Sequence, residues 1–225
     1  MVQPILKKNQ PVSLKEKAYA EIRRRILSGE LSADAPLSEY QLAAELEISR
    51  TPVREAVKRL EREGLVHSIP NRGTVVAKLT VRDISEIYQV REQLEGFAAR
   101  LAAEIMSEES IQKLEEEIDT LNTLASEGQL NEVVASDIRL HKQIIAATQN
   151  SRLIELLGTL DDQMYRVRAL IPESTQWLEA TLADHANIVN AIKAHDEHAA
   201  ENAMRAHLRS AREHAIKQFL PADLF

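Results

Sequence analysis

The chain has 225 residues with 28 Lys+Arg against 35 Asp+Glu, a net charge of −7 and length for one or two domains. It holds no cysteine, which excludes disulfides and thiolate metal ligands, and no apolar run approaches the ~20 residues needed to span a bilayer. The opening Met1 to Gln10 lacks an apolar core of signal-peptide length, so residues 1–11 read as a short flexible tail on a cytoplasmic protein.

In chain order, Leu14 to Leu27 sets Leu14, Ala18, Ile22 and Ile26 on one face with charge elsewhere, which predicts a supporting helix. Tyr40 to Ile48 is a second apolar-periodic segment, and Ser49-Arg50-Thr51-Pro52-Val53-Arg54-Glu55-Ala56 follows it directly. Ser49 can cap a helix, Pro52 suits a first turn because its missing N–H has no intrahelical partner there, and Gly64 suits the end. That layout is a helix-turn-helix, with Arg50, Thr51 and Arg54 at the end of the second helix where a major-groove reader needs donors. Leu65 to Ala77 holds two β-prone runs around Pro70-Asn71-Arg72-Gly73, which predicts a hairpin and completes a winged helix. The candidate DNA contacts are Ser49, Arg50, Thr51, Pro52, Arg54, Glu55, Lys58 and Arg59 on the helix, with Asn71, Arg72 and Gly73 at the wing tip.

The acidic net charge conceals an asymmetry. Residues 1–79 carry 14 Lys+Arg against 10 Asp+Glu, whereas residues 80–225 carry 14 against 25. DNA therefore falls to a domain at 12–79, and another task to a domain at 80–220.

The second domain reads as helix throughout. Thr80-Val81-Arg82-Asp83 has the form of a capping box and opens a helix with apolar positions Ile84, Ile87, Leu94, Ala98 and Leu101. Further helices are predicted near 108–126, 129–148, 151–170, 175–194 and 197–218, divided by Ser107, Gly128, Asn150 and Pro172. The fold class is mainly α, a winged helix-turn-helix followed by an antiparallel helical bundle.

Polar residues interrupt the apolar stripes of that bundle. Asp137 and His141 lie on or beside the stripe Val134, Ile138, Ile145; His185 is centred among Leu178, Leu182, Val189 and Ile192; His207 is flanked by Ala200, Met204, Leu208 and Ala211. One carboxylate and three imidazoles on three helices form a divalent-metal site suited to zinc, nickel, iron or manganese; the alternative is a hydrogen-bonded polar core. His195 and His198 fall at a helix junction and His67 in the wing.

The stretch 12–78 resembles the DNA-binding domain of the GntR family of bacterial transcription regulators, through Ser49 to Ala56, Leu60-Glu61-Arg62-Glu63-Gly64-Leu65 and Asn71-Arg72-Gly73. It departs from that pattern at Ala33-Asp34, where Pro-Gly is usual, and at Glu47, where Gly is usual. Residues 80–218 resemble the FCD effector domain of the FadR subfamily, through Val90-Arg91-Glu92-Gln93-Leu94-Glu95, Asp137 to His141, Asp184 to Ile192 and Met204 to Leu208. The resemblance implies that Asp137, His141, His185 and His207 coordinate a metal; Leu140 stands where Phe is usual. Six predicted helices match the shorter, VanR-like branch.

Arg91 sits on the stripe between Ile87 and Leu94, so it faces inward, where a guanidinium needs a partner. Its partner is either Glu95, one turn on, or the carboxylate of a small organic acid whose other end meets the metal. Tyr88 and Gln163 are candidates to line the same cavity. The functional expectation is a homodimer that binds a palindromic operator and releases it when a carboxylate effector binds, hence a repressor. Two rivals are a metal-dependent hydrolase or isomerase fused to a winged helix, and a bundle that serves dimerisation alone. No His-Glu-x-x-His run or spare general base favours the first, and inward Arg, Asp and His oppose the second.

Overall fold

The computed structural model describes residues 13–170 and 175–219, with side chains 169–176 left aside. The tail expected at 1–11 and the break expected at Pro172 lie outside the described residues. The chain divides into two compact units between Lys78 and Leu79.

The first unit holds α1 (Leu14–Leu27), α2 (Glu39–Glu45), α3 (Arg50–Arg62), β1 (Val66–Ile69) and β2 (Gly73–Val76). Ala18, Ile22 and Ile26 of α1 close over Val53, Ala56, Val57 and Leu60 of α3, because 3.6-residue spacing brings each set to one face. Leu14, expected on the α1 stripe, is instead exposed at the first residue of the helix. The strands pair antiparallel with Val66 opposite Val76 and Ile69 opposite Gly73. Asn71 at φ 64° and Gly73 at φ 80° turn the wing tip. Both departures from the family pattern adopt left-handed backbone, Asp34 at φ 64° and Glu47 at φ 55°, the conformation for which glycine is the ordinary solution.

The second unit holds seven helices among the described residues: α4 (Val81–Ile105), α5 (Glu108–Ser126), α6 (Leu130–Ala147), α7 (Ser151–Gly158), α8 (Asp161–Leu170), α9 (Thr175–Lys193) and α10 (Glu197–Phe219). Thr80 and Asp83 form the reciprocal capping box that starts α4. The helix expected over 151–170 is two: the Thr159 hydroxyl bonds Leu156 O at 2.6 Å after Gly158, and Asp161 and Asp162 open α8 with charges suited to a helix N-terminus. The count of six that pointed to the VanR-like branch therefore does not hold.

Helix α4 packs most extensively on α10. Gly96 permits it, since a Cβ there would stand 2.7 Å from Cγ of Arg205. The dry core joins Ile84 and Ala99 of α4, Leu114 and Leu121 of α5, Leu140 and Ile144 of α6, Ile188 and Ile192 of α9, and Met204 and Leu208 of α10. No helix among the described residues is long and apolar enough to cross a membrane.

Candidate DNA-reading face and metal centre

On α3 the buried residues occupy one side, and Arg50, Arg54 and Lys58 line the other at one-turn intervals, all exposed. Thr51 and Glu55 are exposed beside them, and Pro52 is half-buried in the first turn. Ser49 has the extended backbone of a cap residue, φ −70° and ψ 162°, yet its hydroxyl makes no cap bond. Asn71, Arg72 and Gly73 are exposed at the wing tip. One expected contact is placed elsewhere: Arg59 lies 3.7 Å over the Tyr19 ring and pairs with Glu63 at 2.9 Å and Glu16 at 3.1 Å. Arg59 therefore ties α3 to α1. Glu39, which the sequence did not flag, accepts from Arg54 Nε at 3.1 Å and lies 3.8 Å from Arg50, so α2 fixes where these two donors point.

In the second unit, Asp137 and His141 of α6, His185 of α9 and His207 of α10 converge. One donor atom from each lies within 4.8 Å of all the others, a group that can hold a metal ion. The three imidazole centroids stand 4.5 to 5.4 Å apart. Helix α6 is rotated from its expected stripe: Val133, Ser136, Leu140, His141 and Ile144 are buried, whereas Val134, Ile138 and Ile145 are half-buried. Val134 borders the cavity beside the cluster and Ile138 and Ile145 border a second, smaller one, Ile145 also packing against Ala98, Leu153 and Leu157.

Two carboxylates are each shared between a cation and the cluster. Glu95 accepts from Arg91 Nε at 2.5 Å through Oε1 and from His141 Nδ1 at 2.6 Å through Oε2, which leaves Nε2 of His141 toward the cluster, 3.7 Å from Asp137 Oδ1. Asp137 accepts from Arg168 Nη2 at 2.5 Å through Oδ2, while Oδ1 lies 3.2 Å from His185 Nε2. Carboxylates of this kind orient imidazole ligands and raise their basicity. Arg91 thus has the Glu95 partner, and its guanidinium also borders the cavity.

Burial pushes the Glu95 carboxyl up, but the charges of Arg91 and His141 outweigh it and hold it at about 2. Burial raises Asp137 likewise, and Arg168 with the two nearby imidazoles holds it well below the carboxylate range. His207 is pushed down to about 4 by burial and then by His185, so its ring is neutral with a lone pair to offer.

The donor set fits a divalent ion on a further count. His185 is 1% exposed, and neither of its ring nitrogens has a hydrogen-bond partner among the described residues; nor has Nδ1 of His207. Nδ1 of His207 lies 3.6 Å from Asp184 Oδ2, and Nε2 of His185 lies 3.2 Å from Asp137 Oδ1. Buried polar atoms are ordinarily bonded, so the unbonded His185 nitrogens beside Asp137 suit a cation.

The cluster opens on a cavity of about 740 Å³, its mouth included. Tyr88, Arg91 and Arg168 border it; Gln163 does not. On α8 the buried anchors are Met164 and Val167; Gln163 and Arg168 flank that pair on opposite sides, and only Arg168 is on the side that meets the cavity. Arg168 and Glu95 are the site residues that the sequence reading did not assign.

The two units define a class of protein, a DNA-binding transcriptional regulator that carries a helical regulatory domain. Residues 14–76 match the family described as bacterial regulatory proteins, gntR family, and residues 86–210 match the FCD domain. The chain belongs to the GntR family, and it is a transcriptional regulator rather than an enzyme. It is 30% identical over 181 residues to the gluconate operon transcriptional repressor of Bacillus licheniformis, covering 78% of this chain and 74% of the relative. It is 27% identical over 202 residues to the transcriptional repressor RspR of Escherichia coli, covering 90% and 88%. Among solved structures it is similar to McbR/YncC of E. coli, with a TM-score of 0.73 at 22% identity over 93% of this chain and all of that one.

Proposed function

We propose that the chain is a cytoplasmic repressor that binds a palindromic operator as a homodimer, and that a small organic acid held at a metal in the helical unit controls the binding. The observation that carries this reading is the cluster of Asp137, His141, His185 and His207, with unbonded nitrogens, opening on a cavity that two guanidinium groups also border.

Asp137, His141, His185 and His207 would hold the ion, zinc or nickel first and iron or manganese next on ligand type. An ion that takes more than these four ligands would leave a position for a carboxylate oxygen. Arg91 and Arg168 add positive charge to the same cavity, and Tyr88 adds a hydroxyl and an aromatic face. A repressor role accords with the names of the Bacillus and Escherichia relatives.

The homodimer has physical support on α4, where exposed Val90 and Phe97 alternate with half-buried Leu94 and Leu101 at seam spacing. Two winged helices related by a two-fold axis read a palindrome, and a single copy contacts too little DNA for comparable specificity. The effector displaces the operator only in so far as it binds one arrangement of the protein better than the other.

Protein purified without chelator should carry about one metal ion per chain, and His185→Ala should lose it, as read by elemental analysis. Gel-shift titrations with a panel of organic acids should show operator release that depends on the metal. If wild type and variant alike carry no metal, the four residues are a polar core and the proposal fails.

A further inference from the structure

Tyr40, in the first turn of α2, is 71% exposed, more than any other large hydrophobic side chain among the described residues. Tyr19 shows the ordinary outcome in the same unit: its hydroxyl donates to Glu63 at 2.8 Å, and its ring carries the Arg59 guanidinium. Tyr40 has no hydrogen-bond or ring partner among the described residues. A lone exposed ring needs no special reason, but the surroundings of this one supply it.

Leu42 and Ala43 are buried and mark the face of α2 that meets the core. At about 100° per residue, Tyr40 and Glu45 flank that face on opposite sides. Glu45 is held at 2.5 Å by Arg25 of α1, so Tyr40 lies on the side turned away from α1. Glu39, the residue before it, accepts from Arg54 Nε at 3.1 Å and stands 3.8 Å from Arg50. The start of α2 therefore abuts the exposed arginines of α3. Side chains on a helix lean toward its first residue, so Tyr40 reaches back toward this junction.

The same contacts settle the local charge. An unpaired Glu39 carboxylate would repel a phosphate, but two guanidinium groups face this one. When the second helix of a helix-turn-helix enters the major groove, the first crosses the sugar–phosphate backbone. With α3 in the groove, the first turn of α2 stands beside the strand that borders it. A phenol hydroxyl is a neutral donor, and tyrosine is among the side chains that bond phosphate oxygens.

We propose that Tyr40 is a DNA-anchoring residue whose hydroxyl donates to a backbone phosphate at the edge of the groove that α3 enters. The contact fixes the register of α3 on the duplex and carries no base preference of its own. The inference rests on the reading of α3 as the DNA-reading helix.

The test is a gel-shift titration of the full-length protein on the duplex that wild type enriches from a random-sequence pool. Tyr40→Phe should weaken binding by about 3–30-fold per half-site, with Tm unchanged because the side chain is exposed. The slope of affinity against salt should also stay the same, since tyrosine releases no counterion. Duplexes with one neutral methylphosphonate per half-site locate the partner: at one position the replacement should cost wild type more than it costs Tyr40→Phe. Binding by Tyr40→Phe within about twofold of wild type overturns the contact, and so does a set of methylphosphonates in which no position distinguishes the two proteins. Arg54→Ala separates the two readings. If it weakens binding while Tyr40→Phe does not, only the tyrosine contact falls; if it too binds as wild type does, the α3 reading falls and the tyrosine contact with it.

Discussion

Replacing Glu95 with glutamine removes one charge from the middle of the helical unit and changes its shape very little. Glu95 is 1% exposed and holds Arg91 at 2.5 Å and His141 at 2.6 Å. Two routes to the magnitude agree. A carboxyl at about 2 instead of 4.5 favours its ionised form in the folded protein by about 3 kcal/mol, at ~1.4 kcal/mol per tenfold change. Removing one member of a buried pair costs about 3–5 kcal/mol, because the other stays desolvated without a counter-charge. Glu95→Gln should therefore lower the unfolding free energy by ~3 kcal/mol, or about 10 °C in Tm for a unit of this size. The assay is urea and thermal unfolding of metal-free protein at neutral pH, followed by circular dichroism. Adding Arg91→Met removes the stranded guanidinium, so ~1 kcal/mol or more should return. Metal affinity of the single variant should fall about 10–100-fold, since His141 loses the carboxylate that orients it. A stability loss under ~1 kcal/mol, or a double variant no more stable than the single, would refute the argument that this is a desolvated charge relay.

Because His207 sits at about 4 in the folded chain against 6.5 as its ordinary value, the unfolded chain binds more protons between those limits. Metal-free protein should thus be at full strength above about pH 6.5 and weaken as pH falls toward 4; urea titrations across that window should show the slope, and His207→Asn should flatten it. Arg54→Ala should weaken operator binding in gel shifts by roughly 1–3 kcal/mol per half-site. Arg59→Ala should leave binding by the folded protein intact and cost the first unit ~1 kcal/mol of stability through lost contact with Tyr19; equal DNA defects in the two variants would show Arg59 is misplaced. Glu47→Gly should relieve left-handed strain and raise stability by ~1 kcal/mol, seen as a higher Tm for the first unit, and a Tm that stays level or falls contradicts it.

The sequence showed most where a local rule left one solution. The Thr80–Asp83 box starts α4, and the spacing of four between Asp137 and His141 sets them on one turn, both independent of distant partners. It showed less where tertiary context decides. Helix α6 meets dry core on one side and cavities on the other, so its apolar residues spread over a wide arc and a stripe drawn through Val134, Ile138 and Ile145 misses the buried edge at Val133, Leu140 and Ile144. Gly158 was the visible signal for the α7–α8 break, but a single glycine inside an apolar period does not by itself announce one. Arg168 escaped notice for that reason: Gln163 and Arg168 flank Met164 and Val167 alike, and only the tertiary packing of α8 decides which of the two meets the cavity. Ser49 shows the converse, a residue of the right type in the right backbone whose side chain does not make the bond.

The division of Asp137 between two partners has a consequence for denticity. Arg168 holds Oδ2, and Oδ1 alone faces the imidazoles. On the reading of this cluster as a metal site, Asp137 would offer one oxygen and each of the three histidines one nitrogen. A metal that prefers six ligands would then have two places left that the protein does not fill, the number a chelating carboxylate requires.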